Sequence, residues 1–162
     1  MKKYICLILL VFITVSCTED IKFNNPAFQA LKDNVFWRGQ NYKAYLGTNG
    51  NVTIEGALGF EKIVLQTASS AEQTHILGVD EASKASYSNT FPEQASSFST
   101  GTNKGSGQIV ITDFDAENKT ISGTFKFNAP NLDENSTASL SINFTEGVFY
   151  KVPLTDVPGA SE

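Results

Sequence analysis

The sequence predicts an all-β domain, a single antiparallel β-sandwich, with a closed or partly open β-barrel as the alternative on the same pattern. Three observations predict it. Apolar and polar residues alternate with a period of two in successive stretches after Cys17, and that period turns one face of a strand inward. Clusters of Gly, Asn, Asp, Ser and Thr punctuate those stretches at a spacing of about 8–12 residues, as in sandwiches and barrels. Downstream of Cys17 no stretch holds a helical period for more than about a turn. Together these predict roughly 8 to 10 antiparallel strands.

Taken in order, Phe28 and Ala30 and then Val35, Phe36 and Trp37 flank Asp33-Asn34, a polar pair that reads as a tight turn between two strands. After Gly39-Gln40-Asn41, Tyr42, Ala44 and Leu46 alternate with Lys43 and Tyr45. Gly47 to Asn51 is a turn cluster. Val52, Ile54 and Leu58 share one parity, as in a half-buried strand, and Gly59 marks the next bend. Glu61 to Thr67 is rich in β-branched residues, Ala68 to Glu72 is a loop, and Thr74 to Val79 turns apolar again. Asp80 to Gly107 is dominated by Ser, Thr, Gly, Asn and Gln. A structureless loop of that length is unusual in a compact domain. Short strands are therefore expected at Ala85–Ser88 and Ser96–Thr100, with one helical turn at Asp80–Lys84 and a mobile tip at Gly101–Gly107.

The clearest hairpin follows. Ile109 and Ile111 lead through the turn Asp115 to Lys119 into Ile121, Phe125 and Phe127, with Gly123 on their parity. Asn131 to Ser136 is an acidic, polar loop. Ala138, Leu140, Ile142 and Phe144 then alternate with Ser139, Ser141 and Asn143. Thr145-Glu146-Gly147 reads as a turn after which Val148 to Val152 runs back.

Ahead of this domain lies a different kind of segment. Lys2 and Lys3 precede the apolar run Tyr4–Ile13, and Thr14-Val15-Ser16 lead into Cys17. The run is too short to span a bilayer, which takes about 20 apolar residues. Its length and positive start are those of a signal peptide. The residues before Cys17 match a lipoprotein cleavage box, so Cys17 is expected to carry lipid and to begin the mature chain. A single acyl chain anchors only marginally, whereas two or three on one residue anchor stably. The predicted division is 1–16 signal peptide, 17–25 lipidated cysteine and tether, 26–155 all-β domain and 156–162 tail. The expected address is the cell envelope, anchored to the outer membrane on its periplasmic or exposed face. Glu19 and Asp20, after Cys17-Thr18, read as solvated tether or as a weak surface-sorting signal.

Composition limits the chemistry. The 162 residues carry a formal charge of −5, which becomes more acidic once Lys2 and Lys3 are removed. That disfavours nucleic acid, whose phosphates require basic patches. Of the two cysteines, Cys6 lies in the signal and Cys17 at the lipid. A zinc site of Cys and His is ruled out with His75 as the single histidine, and no G-x-S-x-G elbow is present. Asp113, Asp115, Glu117 and Asn118 crowd one turn, but the spacing fails the calcium-loop pattern, and Asp and Asn favour turns on their own account. No cofactor, metal or catalytic residue is assigned. Trp37, Tyr42 and Tyr45 are the candidate ligand-stacking aromatics, weighed against the commoner role of strand aromatics as core.

The string from Gly107 to Phe127, G-Q-I-V-I-T-D-F-D-A-E-N-K-T-I-S-G-T-F-K-F, resembles a family of uncharacterised Bacteroidota lipoproteins with an I-T-x-x-D then T-I-S-G-T-F-x-F hairpin. Pro26, Phe28, Ala30 and Trp37 match its early P-x-F-x-A segment and tryptophan. Thr145, Gly147 and Phe149 match a late T-x-G-x-F element. The resemblance implies a fold and an address and supplies no activity. The expectation is a non-enzymatic outer-membrane lipoprotein with a binding or envelope-structural β-domain. Its partners are the membrane, through the lipid on Cys17, and a protein or glycan. The alternatives are a carbohydrate-binding accessory lipoprotein, its ligand face near Trp37 or the Asp80–Gly107 loop, and a hydrolase with an unidentified carboxylate site.

Overall fold

The computed structural model describes residues 25–133 and 139–155. The signal peptide, Cys17, Glu134, Ala138 and the tail after Thr155 lie outside the described residues. The described chain is all-β and contains no helix. Its strands are β1 (Ala27–Lys32), β2 (Val35–Arg38), β3 (Asn41–Leu46), β4 (Val52–Leu58), β5 (Glu61–Thr67), β6 (Thr74–Leu77), β7 (Lys84–Asn89), β8 (Ser96–Ser99), β9 (Ser106–Asp115), β10 (Thr120–Pro130) and β11 (Ser141–Thr155).

Local chemistry sets the hairpins. Asp33 and Asn34 both take positive φ, 48° and 67°, which suits the two-residue turn from β1 to β2 to the right-handed twist of the strands. Gly59, at φ 56°, serves the turn from β4 to β5. Asp115 closes the turn from β9 to β10 by accepting hydrogen bonds from the backbone N–H and the side-chain amide of Asn118, at 2.8 and 2.6 Å.

The strands form two facing layers of one curled half-barrel. One layer has the order β6-β9-β10-β11-β1-β2 and the other β3-β4-β5-β7-β8. β11 belongs to both. Its first part lies between β10 and β1, and its end, at Leu154 and Thr155, pairs with Ala44 and Tyr45 of β3. That pairing is parallel, while the other ladders are antiparallel. At the opposite margin Phe98 of β8 bridges Asn131, and the Leu132 N–H donates to Ser97 O at 2.8 Å.

Several expectations needed correction. Thr145-Glu146-Gly147 is no turn, because β11 runs through it as one strand of 15 residues. Glu146 sits at φ 51°, and the registers of β11 with both neighbours slip there, so it is a β-bulge. Leu140 precedes the strand and is 84% exposed, although its parity matches that of buried Ile142. Asp80–Lys84 is not a helical turn: Asp80 Oδ1 accepts from the N–H groups of Ala82 and Ser83. The Gly101–Gly107 tip is tied down, with Gly101 and Lys104 exchanging backbone hydrogen bonds and the Thr102 N–H donating to Glu81 at 2.8 Å.

Between the layers runs a chain of aromatic contacts, Trp37–Phe28–Phe125–Phe127–Phe144–Tyr87–Phe98, with ring centroids 4.8 to 6.3 Å apart. Phe28 fits because it faces Gly56, where a Cβ would stand 2.5 Å from its ring. Burial of these rings, at about 25 cal/mol per Å² of apolar surface, is the main force joining the layers.

Candidate ligand cleft at the end of the core

Along several strands the inward-facing row is apolar in mid-strand and turns polar at one end. β1 runs Phe28, Ala30, Lys32; β5, read backwards, runs Leu65, Ile63, Glu61; β7 runs Ala85, Tyr87, Asn89; and β8, read backwards, runs Phe98, Ser96. Period-two geometry sends all of these side chains between the layers. The polar ends of β1, β7 and β8 line a cleft of about 440 Å³, within the range of small-molecule sites, and Glu61 bonds to its lining residues Lys32 and Tyr87. Its lining includes Lys32, Asp33, Tyr87, Asn89 and Ser96 from strands and turns, and Glu93 and Gln94 from the loop before β8.

A closed set of polar contacts lies at its base. The Glu61 carboxylate accepts hydrogen bonds from Lys32 Nζ, from the Tyr87 hydroxyl at 2.6 Å and from Trp37 Nε1 at 2.7 Å. Lys32 Nζ also donates to the Tyr87 hydroxyl at 3.3 Å and lies 5.3 Å from the centre of its ring. Burial by itself would raise the Glu61 carboxyl. The bonds from Lys32, Tyr87 and Trp37, with the Lys32 charge, outweigh it and hold the group below its ordinary value of 4.5. Burial and the adjacent Glu61 carboxylate push the Tyr87 hydroxyl up, so it stays protonated. Glu61 is thus an ionised acceptor with both oxygens engaged, tying β1 and β2 to β5 and β7 across the layers.

The aromatics singled out in the sequence do not share one face. Trp37 is 2% exposed, belongs to the core, and reaches the cleft's base only through Glu61. Tyr42 is half-buried against the core, its hydroxyl donating to Pro26 O at 2.8 Å. Tyr45 has the opposite parity on β3, and its ring lies 5.1 Å from Lys43 Nζ. Sequence reasoning passed over Lys32, Glu61, Tyr87 and Asn89. The available signal was their parity: each continues an inward row as its polar last member.

His75 lies apart from this cleft, on β6, paired with Ile109 of β9. It is 5% exposed, and its Nε2 has no hydrogen-bond partner. Burial lowers its pKa, with a partial offset from a backbone hydrogen bond to Ala71. Among the described residues no group of three or more His, Cys, Asp or Glu is placed to hold a metal ion.

A family profile described as "Domain of unknown function (DUF6252)" matches residues 24–153. No curated protein and no solved structure matches the chain.

Proposed function

This chain belongs to the DUF6252 family, and we propose that it is a lipid-anchored, non-enzymatic binding protein of the outer membrane, whose ligand occupies the cleft at Lys32, Tyr87 and Gln94. The polar cleft at the end of an otherwise apolar core carries this reading. Polar side chains cost free energy when they displace apolar packing without partners, and here they line an open space. Catalysis is disfavoured by the state of Glu61. An ionised carboxylate has no proton to give, and three of the roughly four acceptor positions on its two oxygens are already taken by Lys32, Tyr87 and Trp37.

The address rests on the leader: Lys2 and Lys3, the apolar run Tyr4–Ile13 and the box ending at Cys17. The lineage rests on the Ile111 to Phe127 hairpin string. β1 begins at Ala27 and ends at Lys32 in the cleft, about 17 Å further along a strand.

Two measurements test this reading. Wild type should partition with membranes and show a processed, acylated Cys17 by mass spectrometry, and Cys17→Ala should remain soluble or unprocessed. An intact Met1 in the native protein overturns the address. Gln94 is exposed on the loop, so Gln94→Trp should fill the cleft without unfolding the domain. In a ligand screen by thermal shift, hits should raise the melting temperature of wild type and not of Gln94→Trp. A hit at 100 times its Kd stabilises by about 2.7 kcal/mol. Hits that shift both proteins equally, or that are turned over, overturn the binding role of the cleft.

A further inference from the structure

The cleft's lining selects among ligand chemistries. Among the described residues of the lining the one cation, Lys32, is neutralised by Glu61, and the other charged groups, Asp33 and Glu93, are acidic. Phosphates, sulfates and carboxylates would meet net negative charge there. A cationic ligand would be drawn only by Asp33, whose Oδ1 already accepts the Asn143 N–H at 3.0 Å, and by Glu93 on an exposed loop, where solvent and salt screen its charge. The rest of the polar lining is amide and hydroxyl: Asn89, Gln94, Ser96, Ser139 and Ser141. These groups both donate and accept hydrogen bonds, and a sugar hydroxyl does the same. Such a lining is too polar for an acyl chain. The apolar elements are few: Tyr87 and Phe98, in ring contact with each other, and Ile142 in the wall, with Phe91 38% and Leu140 84% exposed close by in sequence. A small apolar face among amides and hydroxyls suits rings with apolar C–H faces and polar rims.

We propose that the cleft binds the end of a neutral oligosaccharide, an inference that rests on the cleft being the ligand site. The full chain, solubilised in detergent, is tested on an array of immobilised oligosaccharides, half neutral and half sulfated or uronic. Wild type should retain neutral glycans over anionic ones by at least tenfold. Gln94→Ala with Ser96→Ala should reduce that binding at least tenfold, and Gln94→Trp should abolish it, with melting temperatures within a few degrees of wild type. Preference for the anionic half, no binding to any neutral glycan, or binding indifferent to these variants overturns the proposal. A parallel thermal-shift screen with peptides and with amphiphiles separates the two readings. A peptide or amphiphile hit that Gln94→Trp removes keeps the cleft as a site and discards the glycan. No hit sensitive to Gln94→Trp in either assay discards both.

Discussion

Glu61 and His75 show how burial acts on single residues with opposite histories. Glu61 is surrounded by donors and gains in its charged form. Its folded-state pKa lies below 4.5, so its contribution to stability is complete above that ordinary value and is lost as pH falls through the lowered folded value. Urea midpoints measured from about pH 6 to about pH 3 should fall more steeply for wild type than for Glu61→Gln. At neutral pH Glu61→Ala should cost about 2 kcal/mol, because Lys32 and Trp37 lose their acceptor. His75 is buried with an unpartnered Nε2 and gains from being neutral. The unfolded chain takes up a proton near pH 6.5 while the folded imidazole resists it, so stability declines as pH falls from 6.5 toward the lowered folded pKa. His75→Leu should flatten that part of the curve and leave the drop below pH 4.5 in place. From sequence, His75 was legible as an ordinary strand residue in an apolar setting. The orphaned nitrogen was not, because it depends on what the facing strand brings to it.

Among the elements, hairpins were legible and the bulge was not. A tight turn is fixed by a few adjacent residues, as at Asp33-Asn34 and at Asp115 to Lys119, so its signal is local. Glu146-Gly147 has the composition of such a turn, yet both sides of it stay in one strand, held by β1 and β10. Only the two neighbouring registers distinguish the cases. The bulge makes a direct prediction. Glu146 pays for a left-handed backbone that glycine adopts freely, so Glu146→Gly should be neutral or stabilise by up to about 1 kcal/mol. Glu146→Val should destabilise by about 1–2 kcal/mol, because a β-branched residue resists that conformation. Equal urea midpoints for the two variants would contradict the bulge. Leu140 shows the same limit: its parity continues the row of Ile142 and Phe144, but the strand starts only at Ser141.

For the whole molecule, stability should depend most on the rings that join the layers. Phe144 is fully buried between Phe127 and Tyr87. Phe144→Ala should cost about 3–5 kcal/mol, read as a urea midpoint shift, since it removes apolar burial and leaves a cavity at the contact of the two sheets. The sequence by itself determined that the domain is built of strands, where most of them run and which residues face inward, because a period of two is written residue by residue. Tertiary structure alone decided that β11 serves both layers, that its end pairs in parallel with β3, and that Lys32, Glu61 and Tyr87 meet beside one cleft. Those three lie on strands separated by 29 and 26 residues, and no local pattern records which strand ends a curled sheet will bring together.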